Sequence, residues 1–185
     1  MSVRRDSITR MITTWPAHWP AEARHIARAV STALDAVQDD DADAFAEATA
    51  ELAELPYGHA EAVHSAIIRN LLEDTHAGGL SGEDAQALVL DVVAAHQDWD
   101  ESLDRTALIM VVLGALGVDI DPGFFAGDNQ DPEDLPEIPR LTATDSARHS
   151  SLVIESLLTK IESTAAPYIR SAIEEIARAE TVEMP

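Results

Sequence analysis

From Thr106 to Val118 the chain runs through thirteen residues without a charged side chain, although a quarter of all its residues are charged. Such a stretch belongs in a bilayer or inside a protein. Spanning a bilayer takes about 20 apolar residues, so thirteen fall short. The stretch is therefore read as part of a helix over about 101–117, with Asp100 as its cap. It should be enclosed by protein on most sides, at the centre of the fold. Gly114 and Gly117 either close this helix or let a neighbour approach it.

Helical spacing recurs on both sides of that segment. A short helix is expected over about 6–14, started by Asp6. Pro16 and Pro20 keep the Trp15–Trp19 region out of helix, because a residue before Pro avoids the α region. Pro20 suits the start of a helix to about Val37, striped by Ile26, Val30, Leu34 and Val37. Asp41 is placed to cap the next helix, whose face is Phe45, Ala48, Leu52 and Leu55. After Pro56 a helix of about 57–75 carries Ala60, Val63, Ile67, Ile68, Leu71 and Leu72, and Gly78-Gly79 stops it. Ser81 with Asp84 three residues on reads as a capping box for a helix of about 82–98, which buries Leu88, Val89, Val92 and Trp99.

Between about 119 and 145 four prolines and eight acidic residues preclude a long helix, and a long acidic loop is expected. Two helices close the chain, about 146–164 striped by Leu157, Leu158 and Ile161, and about 167–181 striped by Ile169, Ile173 and Ile176. Pro167 is taken to separate them. No run alternates with period two long enough to make a strand. The expectation is a single all-α domain over 1–185, an irregular bundle or array of about seven helices with short antiparallel connections. Its parts are a basic arm over 1–19, a five-helix core over 20–118, the acidic loop, and a C-terminal helical pair over 146–185. Helix pairs beginning near 20, 58 and 101 would suit a hairpin repeat, but they share no signature.

Charge narrows the functions. The chain holds 34 Asp and Glu against 12 Lys and Arg, a net of −22. Residues 1–28 carry five Arg against two acids, or +3, which leaves −25 on the remainder. Such a body repels nucleic acid and anionic membrane and attracts basic partners. Eleven of the twelve basic residues are Arg, a bias that also fits a high-GC or salt-adapted genome. Cys is absent, so disulfides, thiolate metal sites and Cys nucleophiles are excluded together. No signal-peptide core follows Arg4 and Arg5, so a cytoplasmic location is expected.

Few residues offer chemistry. Two Glu-x-x-His motifs occur, Glu22/His25 and Glu61/His64. Di-iron bundles use two such motifs facing inward. Helical phase turns His64 inward and His25 outward, so the pair fails. His96 falls on the buried face of its own helix, which leaves Glu61, His64 and His96 as the sharpest enzymatic alternative against a plain core role. Asp119, Asp121, Asp128 and Asp131 are calcium-type ligands without EF-hand spacing. Ser81 lacks the strand and the spacing of a nucleophile elbow. Gly78-Gly79 lacks the rest of a phosphate loop. Arg24 and Arg28 are expected to pair with acids of the body. Phe124 and Phe125 sit adjacent in the acidic loop and are the candidate partner-binding residues. Trp15 and Trp19 are expected to dock the arm on the bundle, or on a second subunit as a route to a homo-oligomer.

These features point to a non-enzymatic acidic helical protein that binds or sequesters a partner with a basic surface, with no catalytic residue, metal or cofactor expected. The alternatives are an enzyme or metal-dependent protein with a site near His64 and His96, and a helical scaffold whose acidity is genomic adaptation.

Overall fold

The structure is a computed structural model, and it describes residues 14–55, 58–118 and 140–182, the last three through their backbone. Among these residues there are seven helices and no strand. They are α1 (Ala21–Gln38), α2 (Ala42–Ala53), α3 (His59–Thr75), α4 (Gly82–His96), α5 (Arg105–Ala115), α6 (Ala143–Lys160) and α7 (Ala165–Val182). No helix of the described residues is long and apolar enough to cross a membrane.

The start signals act locally as the sequence implies. Asp41 accepts the Ala44 N–H at 3.0 Å, and Ser81 and Asp84 form a reciprocal capping box. Each satisfies helix-start N–H groups that have no partner within the helix. The stripes of α1 and α3 are buried throughout. Phe45, Ala48 and Leu52 are buried on α2, while Leu55 and Trp99 are half-buried. Trp15 and Trp19 lie in the chain's own core, with rings stacked at 5.9 Å and exposures of 7% and 6%.

Other boundaries move for definable reasons. Helix α5 begins at Arg105, capped by Asp104, whose carboxylate accepts the Ala107 N–H at 2.8 Å. Asp100 does not cap it, because residues 101–104 stay outside the helix; its carboxylate pairs with Arg148 and accepts the Ser102 N–H. Helix α6 begins at Ala143, inside the expected loop, because Thr142 and Asp145 pair across its first turn. Pro167 does not separate the last two helices. It sits in the first turn of α7, where its missing N–H costs nothing. The break falls at Ile161–Thr164, where Glu162 turns left-handed (φ 52°) and the Ser163 N–H reaches Leu158 O at 3.0 Å. The expected helix over about 6–14 and nearly all of the acidic loop, including Phe124 and Phe125, lie outside the described residues.

Packing revises the centre of the molecule. Helix α6 packs against α1, α2, α3, α4 and α5, and Leu152, Val153, Ile154 and Leu157 are fully buried. Helix α5 buries Ala107, Leu108, Val111, Val112 and Ala115, but Ile109, Met110 and Leu113 are only half-buried. Leu116 and Val118, just past its end, are 37% and 48% exposed. The uncharged segment is thus a flank, and α6 is the axis. Chain neighbours pair in α1–α2 and α4–α5, whereas α3 lies on α6, α7 and α5. Because α7 returns to α1 and α3, the assembly closes as an irregular bundle.

Candidate functional site

The polar residues that penetrate the bundle gather along α6. Asp100 has a fully buried side chain. The Arg148 Nε donates to its two carboxylate oxygens at 3.1 and 2.9 Å, and the Arg148 Nη2 donates to Oδ1 as well. The Ser102 N–H donates to Oδ1 at 2.9 Å. The guanidinium stands 4.9 Å over the Phe45 ring, whose edge meets Trp99 at 5.6 Å. A charge pair removed from water survives only when its remaining hydrogen-bonding positions are filled. Backbone, carboxylate and aromatic face fill them here and join α2, the α4–α5 turn and α6.

His149 makes a second joint. Its Nδ1–H donates to Asp145 O at 2.7 Å, and its Nε2 accepts the Asp104 N–H at 3.0 Å. Those two contacts fix a neutral ring with the proton on Nδ1. His96 makes a third, with Nε2 3.1 Å from Ser156 Oγ and 3.5 Å from Glu155 Oε2. Burial holds the His96 pKa below the ordinary imidazole value, against the pull of Glu155.

A Ser–His contact raises the question of nucleophilic catalysis. A working triad orients the histidine from the ring nitrogen away from the serine. Here His96 Nδ1 has no partner, and Glu155 sits on the same Nε2 edge as Ser156. The main clefts of the described surface are lined by neither Ser156 nor His96. The contact is a packed joint between α4 and α6.

The trio of Glu61, His64 and His96 does not assemble. Glu61 is exposed and His64 is buried with neither ring nitrogen hydrogen-bonded. No group of three or more potential metal ligands forms among the described residues. Burial alone drives the His64 pKa down to about 4, so the ring is neutral at ordinary pH. The other motif also divides between helices. Glu22 Oε1 pairs with His59 at 2.8 Å, and His25 pairs with Glu51 at 2.9 Å. Arg28 Nε turns back to the Arg24 carbonyl at 3.2 Å.

The outer surface is more distinctive than the interior. Asp43, Glu47 and Glu51 on α2, and Glu54 at its C-cap, are all exposed, at spacings of four, four and three. That spacing aligns them on one face of the helix. Asp39, Asp40 and Asp41 stand exposed at its entrance. Within this stripe Glu51 pairs with His25 at 2.9 Å. The alignment can be read from the α2 sequence once its buried face is known. The Asp100–Arg148 joint cannot, because nothing local links residues 48 apart.

The chain matches no family model, no curated protein and no solved structure.

Proposed function

We propose that this protein is a non-enzymatic helical interaction module that engages a basic macromolecular partner through the acidic face of α2. The observation that carries this reading is the segregation of charge. Between residues 29 and 104 the sequence holds 18 Asp and Glu and one basic residue, Arg69. Arg69 is committed to Glu175 at 2.5 Å. Genomic acidity without a binding role would mix signs on each face, as α7 does with Arg170 and Arg178 among Glu174 and Glu175. A single-signed face raises the local concentration of basic partners and speeds their encounter. Phe124 and Phe125, in the acidic segment that follows α5 in sequence, belong to this proposal as further anchors.

Affinity chromatography of a native lysate on the full-length chain tests it. The expected yield is one or a few basic proteins, retained at physiological salt and lost when Asp43, Glu47 and Glu54 are changed together to Lys. Glu51 is kept in that variant to preserve its contact with His25. Capture of the same proteins by the folded variant, or of none with a basic surface, would reject the proposal.

A further inference from the structure

Helices α4 and α5 line an apolar groove of about 520 Å³. Val89, Leu90, Ile109, Val112 and Leu113 form its apolar lining, and Arg105 is its one charged lining residue. The large hydrophobic residues classed as exposed among the described residues are Leu90, Leu116 and Val118. All three lie on α4 or at the end of α5. Scattered exposed apolar residues need no explanation, whereas grouped ones mark contact surfaces.

We infer that this face docks against the same face of a second copy of the chain. Three observations select that occupant. First, a net charge of −22 per copy makes most mutual approaches repulsive. On α5 the half-buried and exposed residues after Arg105 carry no charge, so this part of the face adds nothing to that repulsion. Second, the face holds both halves of a self-complementary contact. Leu90, 48% exposed, projects beside a groove that can receive the same residue of the other copy. An isologous interface requires knob and hole on one surface.

Third, the charges on this face complement each other. Arg105 lines the groove, and Glu83 is exposed between Gly82 and Gln86, which line it too. A two-fold axis that sets one copy's Arg105 on the other's Glu83 makes the reciprocal pair at the same time. The Trp15–Trp19 stack is already buried in its own chain, so it is not the surface proposed here.

Size sets the strength. Helix α4 has 15 residues, about 22 Å at 1.5 Å per residue. Two helices side by side are about 20 Å wide, so the face covers on the order of 400 Å². Standard interfaces bury about 800 Å² per partner. The expected state is therefore a reversible dimer with a dissociation constant in the micromolar range.

Sedimentation velocity over a concentration series tests this with the full-length protein. Wild type should pass from monomer to dimer, and Leu90→Asp should raise the dissociation constant by about tenfold or more. Circular dichroism should be unchanged, because Leu90 is half-exposed. Arg105→Glu should also weaken the dimer, and Glu83→Arg added to it should restore most of the loss. A wild type that stays monomeric at about 200 µM would overturn the inference. A dimer indifferent to Leu90→Asp would do the same. So would native mass spectra of a monomer carrying a copurified amphiphile, which would assign the groove to a small ligand.

Discussion

Helix α6 carries Arg148, His149, Ser150, Ser151 and Glu155 and is wrapped by five helices. Helix α5 carries no charge after Arg105 and leaves one side half-exposed. The difference lies in partners. Three polar groups on α6 have one each: Asp100 for Arg148, the Asp104 N–H for His149, and the Ala147 carbonyl for Ser151 at 2.8 Å. A paired polar group loses little on burial, whereas apolar residues on α5 face solvent because nothing among the described residues covers them. Absence of charge permits burial and does not cause it.

The sharpest way to break this comparison is to place an unpaired charge on each helix. Leu152 on α6 is fully buried, and Leu152→Asp should abolish folding, since an isolated carboxylate there has no partner. Leu113→Asp on α5 should fold, because that side chain is half-buried at the groove. Circular dichroism and thermal melts distinguish the two. If both variants fail equally, α5 is as enclosed as α6.

Removing a partner should rank next. Arg148→Ala leaves the Asp100 carboxylate buried and uncompensated, which costs about 3–5 kcal/mol. The double variant Arg148→Met/Asp100→Leu should recover most of that loss. Urea titrations of Arg148→Met, Asp100→Leu and the double variant give the coupling. A cost near zero for Arg148→Ala would mean that water reaches Asp100 and that the joint is not closed.

His64 supplies a case of burial without a partner. Its pKa is about 4 in the folded protein and about 6.5 when unfolded. The unfolded chain therefore binds the proton more readily. The His64 contribution to stability is complete above pH 6.5 and is lost as pH falls toward 4. The shift of about 2.5 pH units corresponds to roughly 3 kcal/mol. His64→Leu should abolish this part of the acid dependence and raise stability at neutral pH by about 1–3 kcal/mol, since two unsatisfied nitrogens are removed. Stability curves of wild type and variant that stay parallel from pH 7 to 4 would contradict the burial.

What the sequence made legible follows the same division. Local signals worked at Asp41 and at Ser81 with Asp84, because a cap is decided within three residues. Apolar stripes on α1 and α3 identified buried faces, because helical periodicity is itself local. The sequence placed Asp100 at the start of α5, whereas Asp104 caps that helix and Asp100 pairs with Arg148, 48 residues further on. The central place of α6 was hidden by the very side chains that pair inside the core. The trio of Glu61, His64 and His96 assumed that helices carrying inward histidines would bring them together with Glu61, which instead faces solvent. Even the acidic stripe of α2 needed the fold, since exposure on one face is a statement about what covers the other.

The smallest effect probes α5 most directly. Val118 is 48% exposed, so about half of its side chain gains from burial. Full burial of a valine contributes about 1.5–3 kcal/mol. Val118→Ser should therefore cost below about 1.5 kcal/mol, less than half the expected loss in Arg148→Ala. The urea titration should be run at low micromolar protein, where dimerisation through this face contributes little to stability. At tenfold higher concentration the gap between wild type and variant should widen, because Val118 borders the surface proposed to meet a second copy. A cost of 3 kcal/mol at low concentration would place Val118 in the monomer's own core and erase the contrast with α6. A small cost that stays constant with concentration would keep the contrast and remove Val118 from the interface.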